Sequence, residues 1–500
     1  MAQTSSHIWK VCSVFLLSAA FLICIPQPVH AQGQAATPEQ IEALRKKLEI
    51  LQGQMAEVQR ELQQLSAGSA KAPEKVVEPK TTADTEKQKS KEEVEARLTP
   101  KEEQIGKNTS TYVTYAQDPQ AAPRINNEPL DPRFPGFFRL PGTDTLLRIG
   151  GYFKTDFIYD LRPAGNADSF IPSTIPIPTV TSVNNSTISV RPTRLNLDFL
   201  VPMGLNDSAR FYIEVDFFGT NATTPHLRHA YGQAKNFLIG QTFSNFVDPD
   251  IGPDQLDFQG PNAWIAIRNP QFRYSHAFAN RMAVSFSAEK PTSDVAFATP
   301  EFNAQPNTPT PDGTVKIRRE VDGGHIQFSA LFRSVAAYLA NGRHESTLGW
   351  GLNLAGAHKV FRKNDTVVYQ AAYGHGIERY INDTSGLGID AAITSSQNPH
   401  LNALPVVATY GSYQHFWKPR LRSSAVYGFV QVQNTAYQPG SAFHQSNYSA
   451  GNLIWNPFGS LTLGTEFLYG WRYTHAGASG NAPRIMFSAK FNFIREQSKE

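Results

Sequence analysis

The stretch FVDPDIGPDQLDFQGPN, Phe246 to Asn262, carries four aspartates, Asp248, Asp250, Asp254 and Asp257, and neither lysine nor arginine. Carboxylates this close repel one another, so the fold must set a metal, a basic wall or bulk water against them. Each partner implies a different chemistry. Clustered oxygens suit calcium, but the spacing is not that of an EF-hand loop, and Pro249 and Pro253 stiffen the segment. A carboxylate pair can carry out acid–base hydrolysis, yet nothing else in the segment marks a substrate cleft. Set against a basic wall across a water-filled bore, the same groups would sort ions by sign. A solvated outer loop is the bland reading.

Two further arrangements could hold a metal: His226 and His229 in PHLRHAYG, and His375 and Glu378 in AYGHGIERY. On a strand, residues three apart point to opposite faces, so neither pair is expected to converge. The basic turns GAHKVFRKNDT and KPRLR read as periplasmic edges rather than nucleic-acid sites. No phosphate loop, nucleophile elbow or dinucleotide fingerprint occurs. The expectation is a protein without catalytic residues, metal or cofactor, and without a nucleic-acid partner.

Strands are what the chain offers to position these groups. TLLRIGGYFKTDFIYDL places Leu147, Ile149, Phe153, Phe157 and Tyr159 on one face and Arg148, Tyr152, Lys154 and Asp156 on the other. RFYIEVDFF and LTLGTEFLYGWRY repeat the alternation. Period two means strand. Many runs reach roughly ten to fifteen residues, against about five or six in a soluble sandwich. Aromatics such as Tyr159, Trp471 and Tyr473 gather near strand ends, as in the girdles of outer-membrane barrels. Short turns at 202–208, 234–236, 279–281, 322–324, 362–365 and 418–420 alternate with long connections at 161–187, 244–262, 290–313, 335–347, 379–403 and 434–444.

The fold class read from this is all-β, a transmembrane antiparallel β-barrel of about 16 strands occupying 134–500. Strands are predicted near 145–160, 188–201, 209–218, 226–234, 236–243, 263–277, 281–289, 314–321, 324–334, 348–361, 365–378, 404–417, 421–433, 445–456, 459–474 and 482–494. An even count leaves both barrel ends in the periplasm.

Ahead of the barrel the chain changes character twice. Residues 1–31 read as a secretory signal peptide, with Lys10, an apolar run from Val11 to Ile25 and a small-residue cleavage site at Val29-His30-Ala31. Both cysteines, Cys12 and Cys24, fall within it, which leaves no thiolate chemistry in the mature chain. Residues 37–66 form a heptad seam of Ile41, Leu44, Leu48, Leu51, Met55, Val58, Leu62 and Leu65, the pattern of a coiled-coil helix. Residues 67–133, mixed in charge and rich in proline, read as a flexible tether. Mean hydropathy is −0.35 and charged residues make up 18%. No later apolar run is long enough for a membrane helix, so any crossing is by strands.

A signal peptide, a short coiled coil, a charged tether and such a barrel together resemble the DcaP-like family of trimeric outer-membrane porins. The segments that carry the resemblance are GTDTLLRIGGYFKTDFIYD (142–160), RPTRLNLDF (191–199), LRHAYGQAKNFLIGQTFSNFVDPD (227–250) and FRYSH (272–276). The resemblance implies a Gram-negative outer-membrane homotrimer, in contact with lipid, that passively admits small anions, notably dicarboxylates. It also implies that the loop at 244–262 folds inward. The four aspartates would then face inward positions of the wall: Arg148, Lys154, Arg194, Arg210 and Arg268, with Arg273 added if Pro270 marks a bulge. From Phe134 onward, 21 arginines and 9 lysines face 26 acids, a net of +4 that favours anions. The competing expectation is a barrel adhesin or enzyme working through surface loops such as PEFNAQPNTPTPDG. The N-terminal helix is expected in the periplasm, near peptidoglycan.

Overall fold

The computed structural model describes residues 137–492, apart from 182, 204–207, 220–223, 297–304, 340–341, 362–363 and 395–399. The expected leader (1–31), coiled coil (37–66) and tether (67–133) lie outside the described residues.

Alternation along the chain becomes a closed antiparallel barrel of 16 strands. They are β1 Leu146–Asp160, β2 in two segments, Asn185–Ser189 and Arg194–Pro202, β3 Ser208–Asp216, β4 His226–Ala234, β5 Phe237–Phe243, β6 Arg268–Phe278, β7 Met282–Glu289 and β8 Asp312–Val321. There follow β9 Gly324–Tyr338, β10 His344–Lys359, β11 Thr366–His375, β12 Pro405–Lys418, β13 Leu421–Val432, β14 Phe443–Phe458, β15 Leu461–Thr474 and β16 Ser479–Asn492. Each pairs with the next, and β16 returns to β1 with Phe487 opposite Phe157. Closure leaves no sheet edge, so every strand has a hydrogen-bonded neighbour on both sides inside the membrane. No helix among the described residues is long and apolar enough to cross a membrane.

The barrel is inside-out relative to a soluble fold. On β1, Ile149, Phe153 and Phe157 are 51, 59 and 51% exposed on the outer face, whereas Lys154, Asp156 and Asp160 are buried on the inner one. The interior is also partly filled. The loops 161–184, 244–267 and 376–404 send Phe170, Ile175, Phe246, Ile251, Ile377 and Ile381 against inward wall residues such as Leu331, Ala355, Tyr410, Val430, Tyr448 and Leu468.

One predicted strand begins later than expected. The strand read near 263–277 starts at Arg268, and residues 263–267 belong to the loop before it. Ala263 and Ile265 are fully buried in the interior cluster, and Ile265 bridges Ile381 of the 376–404 loop. Their apolar alternation therefore faces a core inside the barrel rather than lipid. The strand read at 188–201 is likewise interrupted, by a turn in which Thr193 N–H donates to the Val190 carbonyl.

Candidate functional site

The 244–267 loop crosses the barrel interior by a route set by its composition. Asp248 begins a 3-10 turn at Pro249–Ile251, its carboxylate accepting from the Asp250 N–H at 3.1 Å. Phe246, Val247 and Ile251 are fully buried against the β9–β12 wall, which fixes the side on which the loop lies. Wall side chains satisfy its backbone: Ser329 and Asn353 donate to the Phe246 carbonyl at 3.0 Å each, Gln327 to Val247 at 3.0 Å and the Tyr410 hydroxyl to Ile251 at 2.9 Å. Farther along, Lys154 donates to the Leu256 carbonyl at 2.6 Å, and Asn262 donates to Ser446 Oγ at 2.9 Å. At Gly428 a Cβ would stand 2.2 Å from Asn262 Oδ1, so that close approach depends on the missing side chain.

The four aspartates divide among three places. Arg318 donates to Asp248 at 3.0 Å and ion-pairs Asp250 at 3.0 Å, and His325 Nε2 lies 2.7 Å from the other Asp248 oxygen. Burial alone would raise the Asp248 carboxyl, but His325 and Arg318 hold it well below the usual carboxylate range. Asp254 is paired with Arg422 and accepts from Gln414 at 2.8 Å. Asp257 accepts from the Phe170 and Gly260 N–H groups at 3.1 and 3.2 Å, and burial lifts its pKa to about 6. A four-carboxylate cage is thus not assembled. Asp248, Asp250 and His325 do bring ligand atoms within 4.8 Å of one another. The Arg318 guanidinium already supplies the positive charge there, and that donor set fits a guanidinium better than a metal ion.

The six basic residues expected on the wall are not equivalent. Arg148 (2.8 Å) and Arg210 both engage Asp198. Lys154 is spent on Asp156 (2.9 Å) and the Leu256 carbonyl. Arg273 lies inward beside Gln271 (2.9 Å) and the Phe243 carbonyl; β5 and β6 pair without interruption through Pro270, so no bulge is needed to place it. Arg194 stands 4.0 Å from Glu214 and 5.3 Å over the Phe258 ring. Arg268, the first residue of β6, lies 5.3 Å over Phe243 and makes no ion pair among the described residues.

A residue absent from the sequence reading completes this group. Arg228 bonds Glu214 at 2.7 Å and Asp216 at 2.8 Å and lies 5.5 Å over the Phe258 ring that Arg194 also approaches. A register shift between β3 and β4 at Glu214/Val215 puts Arg228 and His229 both on the buried side, which strict alternation forbids. The histidine pairs do not converge: His226 bonds Asp216 at 3.0 Å, His229 bonds Thr242 at 3.0 Å, and His375 stacks on Trp350 while Glu378 is buried elsewhere.

Beside this cluster lies a cavity of about 400 Å³, lined by Arg268, Arg379, His226, Thr174, Gln259 and Asn382 among others. Arg379 comes from the 376–404 loop, where its N–H donates to Asp390 at 2.9 Å and its guanidinium to Asn269 at 3.1 Å. Asp390 is held in turn by Arg333 of β9 at 2.9 Å. Asp383 also lines the cavity; burial lifts its pKa to about 6, against hydrogen bonds from Ser446 and Ser173. Arg268 and Arg379 line the cavity together with Asp383, while Arg194 and Arg228 stand close by with Glu214 and Asp216.

Comparison with known proteins follows the same lines. A family model described as DcaP outer membrane protein matches residues 140–493. The outer membrane channel DcaP of Acinetobacter baumannii superposes with a TM-score of 0.62 at 25% identity, covering 71% of this chain and 99% of that one. An anion-selective porin from Comamonas acidovorans superposes at 9% identity and a TM-score of 0.47, covering 70% of this chain and 100% of that one. No curated protein sequence matches.

Proposed function

The chain belongs to the DcaP outer membrane protein family, and on that footing we propose that it is a passive diffusion channel favouring small anions, dicarboxylates among them. Family and fold point to a porin of the Gram-negative outer membrane rather than to an enzyme. The observation that carries the anion preference is the uneven pairing of charge. The loop carboxylates Asp248, Asp250 and Asp254 are each engaged by a wall arginine, whereas Arg268 at the cavity has no carboxylate partner among the described residues.

A dianion entering the cavity would meet Arg268 and Arg379 from two elements. Guanidinium forks match carboxylate geometry, so they can replace part of the anion's hydration shell. Arg194 and Arg228, set around Phe258, are offset by Glu214 and Asp216, which leaves the preference to Arg268 and Arg379. Within the same reading, 244–262 acts as the constriction loop and Arg148, Lys154, Arg194, Arg210, Arg268 and Arg273 as the wall it faces. The working unit is a homotrimer, exported by the leader at 1–31, with the 37–66 helix and 67–133 tether in the periplasm. Reversal potentials of the purified channel in a salt gradient test the preference. Anion-directed potentials support it; cation-directed potentials would overturn it.

A further inference from the structure

The described residues expose seven lysine or arginine side chains, Lys235, Arg281, Lys290, Arg319, Lys359, Lys418 and Arg420. Six of them stand at the short-turn end of the barrel; only Lys290 stands at the other. Lys235 and Arg281 occupy the left-handed positions of the β4–β5 and β6–β7 turns, with φ of 50° and 61°. Arg319 precedes the β8–β9 turn, Lys359 ends β10, and Lys418 and Arg420 flank the β12–β13 turn. The cations therefore sit on five successive turns around one arc of the rim. Successive turns are separated by two interstrand spacings, about 10 Å. That is close to the Debye length of about 10 Å at 0.1 M salt, so their fields overlap. Among the described residues, the exposed acids at this end are Asp322, ion-paired with Arg281 at 2.6 Å, and Asp144, near Arg139.

Five of the six cations have an exposed apolar residue within three positions in sequence: Phe237 for Lys235, Phe278 for Arg281, Ile317 for Arg319, Phe361 for Lys359 and Trp417 for Lys418. Phe361 is 91% exposed. A charge beside an apolar group, repeated turn by turn, matches a partner that presents phosphate above hydrocarbon. Short turns mark the periplasmic side of such barrels. We propose that this arc of the periplasmic rim is a binding surface for anionic phospholipid headgroups of the inner leaflet. A wall polymer carrying carboxylates would satisfy the cations but would leave the aromatic neighbours unexplained.

The test uses the full chain in nanodiscs of phosphatidylcholine, alone or mixed with phosphatidylglycerol. Wild type is compared with a six-site variant carrying Lys235→Asn, Arg281→Asn, Arg319→Gln, Lys359→Gln, Lys418→Gln and Arg420→Gln. Native mass spectrometry reads the lipids retained, and thermal unfolding reads their effect. Wild type should retain phosphatidylglycerol selectively, with retention falling roughly fivefold for each cation removed from a headgroup's reach. Should the variant fail to insert, wild type alone remains decisive. Its selectivity must collapse between about 0.1 M and 1 M salt, as the Debye length shrinks from about 10 Å to 3 Å. Salt-insensitive retention, or a variant that keeps wild-type selectivity, overturns the proposal. So does a wild type that shows no lipid preference yet binds isolated peptidoglycan through the same six residues.

Discussion

Replacing Arg268 with alanine is the sharpest test of the anion site, because no buried acid is freed by the change. Arg228 would be a poor choice, since its removal takes an ion pair from both Glu214 and Asp216 and so disturbs two buried acids at once. Arg268 faces the cavity with only an aromatic ring beneath it. A carboxylate about 4 Å from a guanidinium gains roughly 1 kcal/mol in a water-like medium and about 4 kcal/mol at an effective dielectric of 20. Taking the lower figure for a wet cavity, the variant loses about 1 kcal/mol for a monoanion and about 2 kcal/mol for a dianion that presents both charges. Site occupancy then falls about fivefold for the first and about 30-fold for the second. Single-channel block and liposome uptake, measured with a monocarboxylate and a dicarboxylate of matched length, read the ratio. Arg148→Ala serves as the comparison, because Asp198 keeps Arg210 there, and it should change neither uptake by more than about twofold. An equal loss for both anions would mean that Arg268 shapes the passage rather than charging it. No loss for either would remove it from the permeation path.

Three further outcomes follow from the loop. Asp248→Asn breaks the buried contact with Arg318 and His325, costing about 3 kcal/mol at the foot of the 244–267 loop; single-channel recordings should show added open-state noise, and a variant trace as quiet as wild type would count against this contact as a fastening point. Gly428→Val places carbon where Asn262 Oδ1 now stands at 2.2 Å, so the Asn262–Ser446 bond should be lost and mean conductance altered, whereas Gly451→Ala, with open space around its Cβ, should be silent. Asp257 and Asp383 have folded pKa values raised to about 6, so their neutral forms favour the folded loops; that contribution is complete below the ordinary carboxylate pKa and is lost as pH rises through about 6. Thermal stability should therefore be higher at about pH 5 than at about pH 8, by roughly 1.4 kcal/mol per group, and Asp257→Asn should flatten the profile.

Most of the barrel was legible because lipid outside and water or polar side chains inside impose period two on every strand. Period two does not say which side of the wall is apolar, and that is where the reading slipped. Ala263 and Ile265 alternate as a lipid-facing strand would, yet they cover a core within the barrel. The same blindness hid Phe170, Ile175 and Ile381, whose apolar character in outer connections was the available sign that the 161–184 and 376–404 loops also pack inward, and Ile377, which was read as the end of the strand at 365–378. Arg228 was invisible for another reason: a register shift shows only in the pairing of two strands, never in one. Arg318 could have been found, since it alternates with Ile317 and Arg319 on β8, both exposed outward.

An acidic loop inside a channel proposed to favour anions is a contradiction only if its carboxylates act on the permeant. A buried carboxylate must be neutralised, by a proton or by a partner, and this loop uses both. Asp248 and Asp250 share Arg318, Asp254 takes Arg422, and Asp257, with its pKa near 6, is poised to take up a proton as the medium acidifies. Each aspartate can then serve as a fastening point for a loop whose apolar side already faces the wall. The sign of the filter falls to cations that the fastening does not consume. Arg268 and Arg379 meet that condition, since no loop aspartate ion-pairs either of them among the described residues: Arg268 stands over Phe243, and Arg379 bonds Asn269 and stands over Tyr380. In this arrangement charge-neutralising the loop should loosen it before it changes selectivity, and charge-neutralising Arg268 should do the reverse.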